Sequence, residues 1–131
     1  MEKLYGLIGY PLSHSFSKRY FTEKFVKEGI ENARYELFEL EEIKKLPTLL
    51  KRHPNLNGMN VTIPHKQQVM RYLDELDASA KQVGAVNTIK FIADKRVGYN
   101  TDYYGFKESL QNWLDDADIE RALILGTGGA S

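Results

Sequence analysis

Asn60-Val61-Thr62-Ile63-Pro64-His65-Lys66 joins two kinds of pattern. Before it, Leu56 to Val61 is apolar at alternate positions, the period of a half-buried strand. After it, the spacing predicts a helix over His65 to Leu73. Pro64 has no N–H to continue a strand ladder, yet it suits the first position of a helix. The stretch therefore reads as strand, sharp turn and helix start, with Asn60, Thr62 and Lys66 delivered to one junction. In open α/β sheets, ligands sit beyond the carboxyl ends of the strands at such junctions. A lysine in the first turn of a helix faces the positive end of the macrodipole, and a closed pocket would also desolvate it. Both effects disfavour the ammonium form and favour an amine that gives and takes protons near neutral pH. An arbitrary lysine is a solvated surface group; the neighbours Asn60, Thr62 and Pro64 argue for a site.

Upstream, Leu4 to Gly9 reads as a short buried strand that ends in glycine, followed by a turn at Tyr10-Pro11-Leu12. Phe16, Tyr20, Phe21, Phe25, Val26 and Ile30 recur at helical spacing, and Gly29 marks the end of that helix. Tyr35 to Phe38 suggests a second strand. Glu41 to His53 is helical in pattern, with Pro47 dividing it into a turn and a helix that begins at the proline. Downstream, Asp74 to Lys81 is a polar, helix-prone connection. Gly84 to Ile92 reads as a turn feeding a strand, and Ala93-Asp94-Lys95 as a tight turn into Arg96 to Asn100, giving a hairpin. Phe106, Leu110, Trp113 and Leu114 share one face of a further helix. Ala122 to Leu125 is a buried-type strand entering Gly126-Thr127-Gly128-Gly129-Ala130-Ser131. Strands alternating with helices, with a hairpin inserted, give an α/β domain: a mixed, mostly parallel sheet flanked by helices in three layers.

Composition narrows the function. Eighteen basic and 18 acidic residues among 131 leave no net charge, and no basic stripe offers a footprint for nucleic acid. Cysteine is absent, which excludes disulfides and thiolate metal sites. His14, His53 and His65 lack the spacing and companions of a metal site, so no metal is expected, and His65 reads as a packing or pocket-lining residue. The amino-terminal residues lack the apolar core of a signal peptide, and no apolar run is long enough to span a membrane, so the expectation is a cytoplasmic protein.

Ser13, Ser15 and Ser17 alternate at the mouth of the first long helix. One serine suffices as a cap, whereas several hydroxyls with free N–H groups also make a seat for a carboxylate. Asn87 follows a glycine turn, and Asp102 or Thr101 could cap the last helix. In the functional reading Asn87 and Asp102 point into the cleft at Lys66, and the aspartate orients the amine. Gly126-Thr127-Gly128-Gly129 after an apolar strand looks like the opening of a dinucleotide-binding turn, a weak signal by itself.

Taken in order, Gly9 to Ser17, Asn60 to Lys66, Gly84 to Thr88, Gly98 to Gly105 and Gly126 to Ala130 resemble the motifs of the shikimate dehydrogenase family, with its spacing over essentially the whole chain. The resemblance implies NADP-linked, reversible reduction of 3-dehydroshikimate to shikimate, a step in making aromatic amino acids. It implies that Ser15 and Ser17 hold the substrate carboxylate, and that Thr62, Asn87 and Asp102 bind ring hydroxyls. Lys66 becomes the acid–base group, with Asp102 beside it, and Asn60 a support for its loop. Gly126, Gly128, Gly129 and Ala130 fall on the cofactor turn. It also divides the chain into a substrate-binding domain at 1–101, a connecting helix at 102–120, and the first strand and turn of a truncated Rossmann domain at 121–131. On that division, the cofactor is bound mainly by a missing carboxyl-terminal domain, the chain alone is inactive, and the stranded apolar segment invites self-association. Lys18 stands where many members have proline, and His65 where an aromatic is common; Ser17, where others have threonine, leans toward shikimate over quinate. Two other readings remain: a quinate-using dehydrogenase, and a non-catalytic module that binds a polyhydroxylated carboxylate.

Overall fold

The computed structural model describes residues 1–115 and 117–131. Its core is a sheet of six strands: β1 (Lys3–Gly9), β2 (Ala33–Glu39), β3 (Leu56–Val61), β4 (Glu75–Leu76), β5 (Thr88–Ile92) and β6 (Lys95–Tyr99). Their order across the sheet is β2-β1-β3-β5-β6-β4. β1 pairs in parallel with β2 and β3, β5 runs antiparallel to both β3 and β6, and β4 is parallel to β6. Only β5 reverses direction, so the expectation of a mixed, mostly parallel sheet holds, and the hairpin is the device that reverses it.

The helices are α1 (Ser17–Lys27), α2 (Leu46–Arg52), α3 (Ala78–Val83) and α4 (Thr101–Leu114), with 3-10 turns at Ile43–Lys45 and Gln68–Tyr72. Alternation along β1 sends its side chains to two different cores. Leu4 and Ile8 join Leu46 of α2, Val69, Ala80 of α3, Met59, Val86 and Ile89 on one face. Tyr5 and Leu7 join Tyr35 and the α1 residues Phe21 and Phe25 on the other.

Several expectations need correction. The helix predicted over His65 to Leu73 is a turn followed by the short 3-10 segment Gln68–Tyr72, and Pro64 sits in the turn, not at a helix start. The stretch from 74 to 81 is not all helix: Glu75–Leu76 adds an edge strand beside β6 before α3 begins. Of the apolar positions on α1, only Phe21 and Phe25 pack on the sheet; Phe16, Tyr20 and Val26 are exposed. At 100° per residue the pair four apart forms one stripe, and the other three fall to its sides. Ala122 to Leu125 forms no strand, and Leu123 and Leu125 are exposed. An isolated extended segment has no partner for its backbone N–H and C=O groups, so the pattern alone does not hold it.

The β5–β6 hairpin packs tightly enough to be tested. A Cβ added at Gly98 would come within 2.6 Å of Leu73 Cδ1 and 2.8 Å of Val86 Cγ2. Gly98→Ala therefore lowers stability by about 2 kcal/mol through overpacking. In urea unfolding the midpoint falls with an unchanged slope, and an unaltered midpoint refutes the packing argument.

Candidate functional site

A bulge at the start of β3 sets up the site. Leu4 pairs with Leu56 but Tyr5 pairs with Gly58, so Asn57 is an extra residue and the parity of the strand changes there. Met59 and Val61 consequently enter the larger core, while Asn60 faces the α1 side and reaches Tyr35. Beyond Val61 the chain turns back: Thr62 N–H donates to the Ile8 carbonyl (2.9 Å) and His65 N–H to the Thr62 carbonyl (3.0 Å). His65 is buried and its ring Nε2 pairs with the Leu40 carbonyl, which fastens the turn to the loop after β2. Val86 N–H donates to the Lys66 carbonyl (2.7 Å), tying the same turn to the approach to β5.

So anchored, Lys66 directs its ammonium at Asp102, with Nζ to Oδ2 at 2.7 Å. The lysine side chain is 16% exposed and the aspartate 58%. An ion pair with one half-solvated partner contributes roughly 0–1 kcal/mol to stability, so its consequence is orientation. The helix-dipole reason given for Lys66 does not survive, because no α-helix begins at that turn.

Asp102 is free to pair because Asn100, not Thr101 or Asp102, caps α4. Asn100 Oδ1 accepts from Tyr103 N–H (3.0 Å), its Nδ2 donates to the Ala85 carbonyl (3.0 Å), and its own N–H donates to Ser79 Oγ (3.0 Å). Asp102 then lies in the first turn of α4, where a carboxylate complements the dipole. Asn87, also buried, clasps the same helix start: Nδ2 donates to Thr101 Oγ1 at 2.7 Å, and Oδ1 accepts from Thr101 N–H at 2.9 Å.

The serines lie at the start of α1. Phe16 occupies the cap position without a side-chain hydrogen bond, and Ser15 Oγ accepts from Ser17 N–H at 3.3 Å. The Tyr35 phenol donates to Asn60 Oδ1 at 2.8 Å. Lys66 and Asp102 thus meet directly and Asn87 meets Thr101. Among the described residues, Ser15 and Ser17 make no hydrogen bond to those four, and Thr62 follows the end of β3. A hollow of about 670 Å³ has Tyr35, Asn60, Thr88 and Thr101 in its wall beside Phe21 and Phe25. Among the described residues no His, Asp and Glu group could hold a metal ion, and no helix is long and apolar enough to cross a membrane.

The family model for the shikimate dehydrogenase substrate-binding domain matches residues 7–89. The chain belongs to that family. Shikimate dehydrogenase (NADP(+)) of Bacillus subtilis is 44% identical over 134 residues, a match spanning 100% of this chain and 47% of that protein. The crystal structure of shikimate dehydrogenase 1 from Peptoclostridium difficile superposes with a TM-score of 0.86 at 40% identity, covering 98% of this chain and 49% of that one. The Thermus thermophilus shikimate 5-dehydrogenase, solved in complex with shikimate, gives 0.82 at 32% identity over 98% of this chain and 49% of its own. The chain spans about half the length of the curated shikimate dehydrogenases it matches.

The glycine-rich segment of a shikimate dehydrogenase would carry the dinucleotide, and the residues present fit one edge of such a site. Gly126 has φ +108°, where side chains are strained, and a Cβ added at Gly129 would stand 2.8 Å from Lys66 Cβ. Residues 122–125, which would flank such a turn as a strand, form none. Within this shikimate dehydrogenase domain, sequence reasoning missed Tyr35 and Thr101 as members of the polar cluster. A tyrosine inside a strand needs a partner for its hydroxyl once buried, which was the available signal.

Burial pushes the Tyr35 phenol above its ordinary value of 10.0, and hydrogen bonding with the Ser17 hydroxyl pulls the other way. The folded state therefore holds this proton more tightly than the unfolded chain. Its stabilising contribution is complete below pH 10.0 and is lost as pH rises past it toward ionisation in the folded state. Thermal melts at rising alkaline pH should fall more steeply for the wild type than for Tyr35→Phe. Parallel curves would show that the phenol's burial is not coupled to folding.

Proposed function

We propose that this chain is the substrate-binding part of an NADP-dependent shikimate dehydrogenase, which reversibly reduces 3-dehydroshikimate to shikimate in the cytoplasmic synthesis of aromatic amino acids. One observation carries the reading: the 2.7 Å Lys66–Asp102 pair stands beside the Asn87–Thr101 clasp at the ends of three different strands and one helix. That collection of an amine, a carboxylate and an amide suits a ring bearing several hydroxyls. The names of two curated relatives, both shikimate dehydrogenase (NADP(+)), support the same substrate and cofactor.

In this reading Ser15 and Ser17 hold the carboxylate, while Thr62, Asn87 and Asp102 hold ring hydroxyls. Asp102 keeps the Lys66 ammonium aimed at the reacting oxygen. Lys66 gives its proton to that oxygen during reduction and recovers one in the reverse direction. Bound NADPH supplies the hydride. Gly126, Gly128, Gly129 and Ala130 would hold one edge of it, close to Lys66. Residues 1–101 form the substrate domain, 102–120 the connection, and 121–131 the first part of the nucleotide-binding domain.

Titration of the 15N-labelled chain with shikimate tests this. Saturable shifts at the amides of Ser15, Ser17, Thr62, Asn87 and Asp102 are expected, and they should be weaker in Asp102→Asn. Shikimate at millimolar concentration leaving those amides unmoved overturns the reading. The exposed Leu123, Ile124 and Leu125 line one hollow with Phe106 of α4, an apolar surface that supports self-association of the chain. Sedimentation should show dimers or larger species at high concentration; a strictly monomeric chain counts against it.

A further inference from the structure

The polar side chains behind the site form one continuous relay with a fixed direction. Tyr35 donates to Asn60 Oδ1 (2.8 Å), and Asn60 Nδ2 donates to Thr88 Oγ1 (3.2 Å) and to the Asn87 carbonyl (3.4 Å). The Thr88 hydroxyl therefore donates onward, to Asn87 Oδ1 (3.0 Å), which also accepts from Thr101 N–H (2.9 Å). Tyr35 is 3% exposed and its ring stacks on Phe21 with centroids 4.6 Å apart, so the phenol has one orientation.

We infer that Tyr35 is a positioning residue for the substrate site: its hydroxyl holds the Asn60 amide, which through Thr88 and the Asn87 carbonyl braces Asn87. The functional part of this inference rests on the shikimate reading above. The logic is that of donors and acceptors. A phenol facing a carboxamide oxygen must donate, so the Asn60 NH₂ group is turned toward Thr88. Thr88, having accepted, presents its proton to Asn87 Oδ1. Asn87 is left with both acceptor contacts filled, and of its two amide protons one goes to Thr101 Oγ1 and one is available to a ligand hydroxyl. Without the phenol proton, Asn60 keeps only its Nδ2 contacts to the Asn87 carbonyl and the Thr88 hydroxyl, and the groups downstream are held less firmly. A tyrosine whose hydroxyl was merely satisfied would act only within its own contacts.

Tyr35→Phe removes the hydroxyl and keeps the stacked ring. Amide hydrogen exchange in the ligand-free chain reads the relay without any substrate. We expect Thr101 N–H to exchange about fivefold faster or more in the variant, with the core amide of Val69 unchanged. Thr101 exchange within about twofold of wild type, or a uniform acceleration of both amides, overturns the inference. Shikimate titration supplies the second arm. Tyr35→Phe should weaken binding about tenfold, and adding Thr88→Val should cost far less than it does in the wild type. Effects that simply multiply would show that Tyr35 and Thr88 act apart, and overturn the inference. If the wild type binds no shikimate, the functional reading fails while the exchange result still decides whether Tyr35 sets the relay.

Discussion

Arginine in place of Lys66 should leave shikimate bound within about tenfold of wild type while turnover falls on the order of 10²–10⁴-fold. Turnover is to be measured with this chain joined to the carboxyl-terminal half of its Bacillus subtilis relative, and binding in the chain itself. The reasoning separates charge from proton exchange. Arginine keeps the positive charge and can still pair with Asp102, which lies 2.7 Å from the lysine Nζ. A guanidinium does not give up its proton in the accessible pH range, so a step that needs the proton to leave and return fails. General acid–base catalysis by one positioned group accounts for a factor of that size, larger than any loss from the exposed ion pair. If the arginine variant turns over at near the wild-type rate, Lys66 is only a binding charge and the non-catalytic reading gains. If binding collapses together with turnover, the substitution has damaged the site's shape. Lys66→Met then decides: lost turnover with shikimate still bound assigns the proton to the amine.

Asn100→Ala should cost about 3 kcal/mol, the largest loss expected from any one polar side chain in this domain. Asn100 is 1% exposed and its side chain serves both the Ala85 carbonyl and the Tyr103 N–H. Truncation leaves those two groups buried without partners, at about 1–3 kcal/mol each, and adds a small cavity. For a chain of this size the melting temperature should drop by about 10 °C. The same change frees the first turn of α4, so the Lys66–Asp102 pair loosens and shikimate affinity should fall with stability. Asn100→Asp retains the cap and recovers part of both losses. A truncation costing under about 1 kcal/mol would mean that water satisfies both orphaned groups.

The contrast between those residues shows where sequence reasoning stopped. Lys66, Asp102, Asn87, Ser15, Ser17 and Thr62 stood out because each lies at a strand end or a helix mouth, positions readable from apolar periodicity and from glycine and proline. Asn100 read as the last residue of a strand. Its role as cap became visible only once β6 ended at Tyr99 and Thr101 N–H was occupied by Asn87. Tyr35 read as one more apolar strand position. Its partner Asn60 is 25 residues away, and nothing within β2 announces that contact.

The succession of β1, α1, β2, α2 and β3, the β5–β6 hairpin and α4 were readable from the sequence alone, as were Lys66, Asp102, Asn87, Ser15, Ser17 and Thr62 as candidates. They depend on neighbours along the chain: the period of apolar side chains, the missing N–H of proline, the reach of a cap. The tertiary structure decided that Asn57 bulges, so that Asn60 faces α1 while Met59 and Val61 fill the core. It decided too that the chain after Pro64 is a pinned turn in place of a helix, and that residues 122–125 stay extended without a partner. Register and burial are set by which distant segments meet and by whether every backbone group finds a partner, and such pairings leave no trace in any local window.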